Sequence, residues 1–383
     1  VSGRPRTGRR PTRLSGDLGG AFGDLGTFLP YALGAITVAG IAPFGILFGF
    51  GIFLIASGLF YGLPMAVQPM KAVAAVLVTE GLDAGELAAA GVVLGLVMLV
   101  LGMTGVIARI ARVIPQSITA GLQLGLGLTM GSLGLELLSG QPWYGMAMLA
   151  LLLVLMRVPR CPAAPLAVLL AVLAGWMTGL VSPPGHIAHG WQWPAPSLPS
   201  WESFPHAIGA AVLPQIPLTL TNAVIVTAAL SRDLFPRQSA RVTERNLSLS
   251  TGLANLLLAP LGAMPMCHGA GGLQAQYRFG ARTGAAPALL GALLLILAFG
   301  FSAAAAEILA MVPLPAVGAL LLVAGADLAL SRRLFDARPA CWPAIGLTAL
   351  LTVLFNPAVA LAGGWALEFL RGQVMRAPTR DPR

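Results

Sequence analysis

Lys71 and His268 are the residues whose types and settings invite chemistry. Lys71 is the only lysine in the chain and closes the stretch Gly62-Leu-Pro-Met-Ala-Val-Gln-Pro-Met-Lys71. A cation among apolar neighbours at membrane depth costs ~2.5–3.5 kcal/mol on insertion scales. In the first turn of a helix it also opposes the macrodipole. Both penalties fall when an anion binds beside it. The alternatives are a snorkelling side chain or a structural pair with Asp24 or Glu80. His268 lies in Gly262-Ala-Met-Pro-Met-Cys-His-Gly-Ala-Gly-Gly272. It could hydrogen-bond an oxyanion, carry a proton, or cap a turn as a buried neutral histidine. Cys267 beside it raises a Cys–His nucleophile, but sequence neighbours rarely point at each other. Gln68, Gln274 and Gln276 donate hydrogen bonds without bringing charge. The chemistry on offer is anion binding rather than catalysis.

Backbone must position these groups, and the two stretches are built to break helices. Pro64 and Pro69 favour an extended piece over 64–68, with Pro69 opening a half-helix over 69–79. Pro265 with Gly269, Gly271 and Gly272 predicts an extended 263–267 and a half-helix over 268–280. Half-helices entering from opposite sides point their N-termini at each other. Each N-terminus carries unpaired N–H groups and partial positive charge, a ready anion site. The amides near Pro69–Met70 and over His268, Gly269, Ala270 and Gly271 are the expected oxygen ligands. Broken backbone at this depth is tolerated where it is buried in protein or lines a cavity. Two further spans bring polar groups. Gly23-Asp-Leu-Gly-Thr-Phe-Leu-Pro30 places Asp24 ~9 Å into its span, at ~1.5 Å per residue. It adds Thr27 as a candidate ligand. An intramembrane acid suggests proton coupling, a Lys71 pair, or an interfacial residue in the first helical turns. In Leu213–Asn222, Gln215, Thr219 and Asn222 fall on one helical face, suiting a site wall or interhelical bonding.

The rest of the chain is membrane-like. Of 383 residues, 57% are hydrophobic and 10% charged, which excludes a soluble domain. Cys161, Cys267 and Cys341 lack metal or disulfide spacing. Outer-loop His186, His189 and His206 read as loop residues, and no cofactor is expected. The net charge of +9 is scattered between spans, which argues against nucleic acid. Fourteen spans are predicted: 18–38, 44–61, 65–79, 84–108, 115–137, 143–157, 163–181, 206–230, 247–263, 268–280, 285–307, 313–330, 340–355 and 357–370. With the N-terminus inside, every basic residue except Lys71 falls on one side. The outer segments hold only acids, from Glu80, Asp83 and Glu86 to Glu136, Glu202 and Glu307. That alternation is the positive-inside rule. It predicts a cell inner (plasma) membrane protein with both ends cytoplasmic.

The chain also repeats. Gly102 and Gly300 share an offset of 198 with Pro115 and Pro313, and Pro64-Met65 matches Pro265-Met266 at 201. Seven spans per copy make the second copy inverted, a transporter architecture with substrate near the midplane. The expected organisation is a cytoplasmic tail 1–17, a first repeat 18–181, an outer loop 182–205, a second repeat 206–370 and a tail 371–383. The fold class is thus all-α and polytopic, with broken spans 3 and 10 meeting at the midplane.

Gly23-Asp-Leu-Gly-Thr-Phe28, Pro64-Met-Ala-Val-Gln-Pro-Met-Lys71, Met264-Pro-Met-Cys-His-Gly-Ala-Gly-Gly-Leu273 and Gln276-Tyr-Arg-Phe-Gly-Ala-Arg282 resemble the signatures of the molybdate transporter family, a branch related to the sulfate permeases. The resemblance covers nearly the whole chain. It implies molybdate uptake, with sulfate or tungstate as related tetrahedral substrates. It also implies the seven-plus-seven fold shared with uracil permeases, with spans 1–4 and 8–11 as core and the rest as gate. A homodimer follows by fold analogy alone. The regulatory domain that follows the last span of sulfate permeases is not expected. The reading is a secondary transporter and not an enzyme. It moves its anion by alternating access with protons as the expected co-ion, Asp24 and His268 being the candidates. The alternatives are a general sulfate permease and a nucleobase transporter. The second is disfavoured because 206–230 and 262–284 lack an acid.

Overall fold

Glycines, prolines and a few capping side chains punctuate an apolar, helix-forming chain. A computed structural model describes residues 13–107, 115–158, 161, 163–181, 196–355 and 357–376. Most of the Arg-rich start, Arg109, Arg112 and Arg160, loop histidines His186 and His189, and Arg380 and Arg383 lie outside the described residues.

The chain is mostly helical. Helix α1 (Arg13–Ala21) leads through a turn into α2 (Leu25–Leu33), which continues as a π-helical turn, Gly34–Val38. α3 (Pro43–Tyr61) is followed by strand β1 (Val67–Pro69) and the short helix α4 (Lys71–Glu80). Next come α5 (Ala84–Thr104), α6 (Gln116–Ser139), α7 (Pro142–Arg157) and α8 (Ala163–Met177). α9 (Ser203–Leu234) mixes α and π turns, and α10 is Glu244–Leu258. Strand β2 (Met266–His268) precedes α11 (Ala270–Arg278). α12 (Ala285–Ala310), α13 (Leu314–Ala329), α14 (Trp342–Leu354) and α15 (Pro357–Arg376) complete the order.

Local sequence explains the boundaries. Asp83 and Glu86 form a reciprocal capping box at the start of α5, with bonds of 2.7 and 2.9 Å. Thr243 caps α10 by accepting from the Asn246 N–H. Gly62 and Gly262 take left-handed φ values of 66° and 83° and reverse the chain before each strand.

Several boundaries differ from the sequence reading. The first span is not one helix, since a turn over 22–24 separates α1 from α2. The half-helices begin at Lys71 and Ala270, two residues later than expected, because Pro69 and His268 belong to the paired strands. The last helix runs to Arg376 rather than 370. His206 is not a loop residue. It sits in the first turn of α9, its Nδ1 2.7 Å from Glu86 Oε1.

Among the described residues, four helices, α3, α5, α6 and α9, are long and apolar enough to cross a membrane. Large apolar side chains such as Leu59, Met103, Leu257 and Leu354 face outward. That surface suits a polytopic protein in lipid. With no hydrophobic drive between helices there, association relies on close packing of small residues. α3 packs on α12, α5 on α10, and α6 on α13. Glycines face glycines at these crossings. A Cβ on Gly95 would lie 2.9 Å from Gly252 O, and one on Gly252 2.8 Å from Gly95 O. Gly51 and Gly291 are related in the same way, as are Gly127 and Gly325.

Gly325→Ala is expected to destabilise by ~1–3 kcal/mol, because its Cβ would meet Gly127 O at 2.7 Å. Gly346 has open space at the same test. Gly346→Ala should therefore leave the melting temperature in detergent unchanged or raised. Equal melting temperatures for the two variants would refute this packing argument.

Candidate functional site

β1 and β2 pair antiparallel, with Val67 opposite His268, Gln68 opposite Cys267 and Pro69 opposite Met266. The pairing supplies hydrogen bonds that an unwound segment would otherwise lack. The Met70 N–H continues it by donating to Pro265 O at 2.9 Å. The outer edge of β2 is closed by a side chain. Asn255 Oδ1 accepts from the Met266 N–H at 2.8 Å, and Asn255 Nδ2 donates to Met266 O at 2.6 Å. Asn255 thus serves as a third strand one residue long.

The two short helices start from opposite ends of this pair, and their N-termini are treated differently. At α4, Gln215 from α9 takes the first-turn amides. Its Oε1 accepts from Ala72 N–H at 2.9 Å and Val73 N–H at 3.4 Å, and its Nε2 donates to Thr219 at 2.8 Å. The expected oxyanion ligands at Pro69–Met70 are therefore not available here. Proline has no N–H, and the Met70 amide is committed to Pro265.

At α11 the cap residue is Gly269, which has no side chain, and its neighbours are acidic and amide groups. Asp24 Oδ1 accepts from Gln68 Nε2 at 2.6 Å. Gln68 packs against Gly269, and the Asp24 carboxylate packs against Gly272. A methyl group at either glycine would collide with them. The positive end of α11 and the Gln68 amide compensate Asp24. Asp24 and Lys71 form no ion pair within 4.0 Å. Gly271 is exposed, with open space where a Cβ would stand. Ala270 is buried.

Lys71 opens α4, half-buried, with no hydrogen bond or ion pair among the described residues. It lines a cavity of about 410 Å³. One wall is made by α2, α4 and α11, and includes Thr27, Tyr31 and Arg278. The rest of the lining comes from α7, α8 and α13, and includes Asp327. Neither acid beyond Asp24 nor Arg278 had been singled out as a ligand from sequence. Asp327 lies near the end of its span, five residues before Arg332, and reads there as an interfacial charge.

Other expected ligands lie elsewhere. His268 is fully buried behind the strands. Its Nε2 is 2.9 Å from Ser250 Oγ, which is 2.8 Å from Tyr61 Oη, and its Nδ1 is 3.3 Å from Ala66 O. Its ring packs against Phe53 and Tyr61. Strand alternation sends Cys267 and His268 to opposite faces, which removes the Cys–His pairing. Gln276 is fully buried and unbonded among the described residues, because the cavity face of α11 carries Ala275 and Arg278 instead. Asn222 sits in the π-helical turn Thr219–Val226, where more residues per turn alter its angle to Gln215 and Thr219, and it is not among the residues lining the Lys71 cavity. Its carbonyl accepts from Thr227.

A family model described as "Molybdate transporter of MFS superfamily" matches residues 16–130 and 207–328, which contain Asp24, Lys71, Gln215, both strands and α11 but not α7 or α8. The chain belongs to the molybdate transporter family. Molybdate transporter 1 of Arabidopsis thaliana is 31% identical over 94% of this chain and 87% of its own length. Molybdate transporter 2 of the same plant is 33% identical over 84% and 79%. This is a family of transporters and not of enzymes. The fold resembles the transmembrane domain of the cyanobacterial bicarbonate transporter BicA, with a TM-score of 0.70, 16% identity, and coverage of 92% of this chain and 98% of that one. SLC26A9 matches with a TM-score of 0.71 and 14% identity over 96% of this chain and 66% of that one.

In this molybdate transporter family member, Gln215→Leu should strand the Ala72 and Val73 amides at a cost of ~1–3 kcal/mol. Gln215→Glu keeps an acceptor oxygen and should lose less. Thermal melting in detergent checks the order, and equal losses would refute the capping role.

Proposed function

We propose that this membrane protein is a secondary carrier that imports molybdate by alternating access, with the oxyanion held between Lys71 and the first turn of α11. The observation that carries this reading is Lys71 itself, a half-buried cation with no hydrogen bond or ion pair among the described residues, lining a cavity. The first turn of α11 is open at Gly271, and Thr27 adds a hydroxyl to the lining of the Lys71 cavity. A tetrahedral dianion supplies what both lack. The side-chain amides Gln68 and Gln215 act behind the site, fixing Asp24 and α4. His268, Gln276 and Asn222 are left out of the ligand set.

The inverted seven-plus-seven repeat is supported by the register of the strands. Exchanging residues i and i + 199 turns the pair Val67–His268 into Met266–Pro69, which is also a pair. The helix pairings α3–α12 and α5–α10 likewise exchange under that relation. Fourteen spans, two cytoplasmic ends, an inner-membrane location and a homodimer belong to the same proposal.

Moving a dianion against a negative-inside potential costs ~2.3 kcal/mol per charge per 100 mV. A co-ion is needed, and Asp24 is the candidate proton carrier, being buried beside the site. The test is labelled molybdate uptake into proteoliposomes of the purified protein, with excess sulfate or uracil as competitor. Lys71→Ala should reduce uptake at least ~tenfold, with Lys71→Arg intermediate. An acid-outside gradient should accelerate uptake. Wild-type uptake in Lys71→Ala would overturn the site. Uptake indifferent to pH would overturn the proton coupling. Inhibition by sulfate would widen the substrate to oxyanions in general.

A further inference from the structure

Asp327 is a charge that the binding reading leaves unused. It sits on α13, exposed, and lines the same cavity as Lys71. The two charges act on each other electrostatically without forming an ion pair. Room therefore exists between them. The groups lining the cavity with Asp327 include Tyr31 on α2, Arg278 at the end of α11, and Cys161 ahead of α8. The wall that carries Asp327 is stiff. Two residues away, Gly325 packs on Gly127, and Gly318 packs on Gly134, with hypothetical Cβ positions 2.6–2.7 Å from backbone oxygens.

A carrier must also return empty. Lys71 without its anion is an uncompensated cation at membrane depth, which is costly. Asp24 acts on Lys71 electrostatically but is not free to pair with it in this arrangement, since its carboxylate is held by Gln68 and packed on Gly272. Arg278 has the wrong sign. Asp327 is the acid that shares the cavity with Lys71.

We propose that Asp327 is the counter-charge that takes over Lys71 as the oxyanion departs. This rests on the reading that Lys71 binds the oxyanion. While the dianion is present, two negative groups compete for one ammonium, and like charge favours release toward the cavity mouth. Once the dianion has gone, approach of α4 to α13 pairs Lys71 with Asp327. The site then crosses the membrane without a bare cation. Asp327 acts on the return step and on release, so it is a positioning residue and not a ligand.

The experiment separates two transport modes in proteoliposomes. Net uptake into empty vesicles requires the empty return. Exchange of labelled external molybdate against molybdate trapped inside does not. Asp327→Asn should cut net uptake by ~tenfold, leave exchange within ~twofold, and lower the apparent KM of exchange several-fold. Asp327→Glu keeps the charge and should keep the wild-type ratio of the two modes. Net uptake and exchange falling together in Asp327→Asn would overturn the proposal, as would undiminished net uptake or a raised KM. A ratio altered in Asp327→Glu counts against it equally, and that variant decides the matter should Asp327→Asn fail to fold. A wild-type protein that performs neither mode would instead refute molybdate transport itself.

Discussion

The structure depends on satisfying backbone hydrogen bonds where two helices are interrupted inside an apolar molecule. An unpaired N–H or C=O in such surroundings costs several kcal/mol, on the order given for lipid. The chain meets this by pairing the two interruptions with each other. β1 bonds to β2, Met70 bonds to Pro265, and the free edge of Met266 is completed by Asn255. Because the strands are antiparallel, α4 and α11 leave from opposite ends of the pair. The meeting of two helix N-termini is thus a consequence of strand pairing rather than a separate feature.

The two N-termini then receive unequal treatment. Gln215 occupies that of α4, while at α11 Gly271 stays open and Gly269 and Gly272 let Gln68 and Asp24 approach. Charge follows the same division. Asp24 is compensated by an amide and a helix end, whereas Lys71 has only the cavity before it. The half-buried Lys71, without a hydrogen bond or ion pair among the described residues, is the charge that the proposed carrier function uses. His268 illustrates the opposite outcome. Ser250 and the Ala66 carbonyl meet its two ring nitrogens, and its ring packs on Phe53 and Tyr61, in keeping with the buried histidine that the sequence left open.

Much of this was legible before any coordinates. Helix interruptions follow from Pro64, Pro69 and Pro265 with their glycines, because proline geometry is local. Lys71 and Asp24 stood out because charge in an apolar span is rare. What was not legible depended on strand formation. Three-residue strands carry no periodic signal, so Pro69 and His268 were assigned to helices two residues too early. Strand alternation then turned His268 away from the cavity. The π turns of α9 displaced Asn222 for a similar reason, since an added residue per turn leaves no mark in sequence. Asn255 closes the edge of a strand that carries no signal of its own, and Asp327 shares a cavity with Lys71 from the far half of the chain, so spacing along the chain reveals neither.

The most direct measurement locates the anion. Tungstate shares molybdate's shape and charge, and its heavy atom can be found without ambiguity in a structure of the purified protein. The account predicts tungsten density in the cavity, between the Lys71 ammonium and the first turn of α11 at Gly271, and its loss in Lys71→Ala. Density confined to surface arginines such as Arg232 or Arg241, with the Lys71 cavity empty at saturating tungstate, would contradict it.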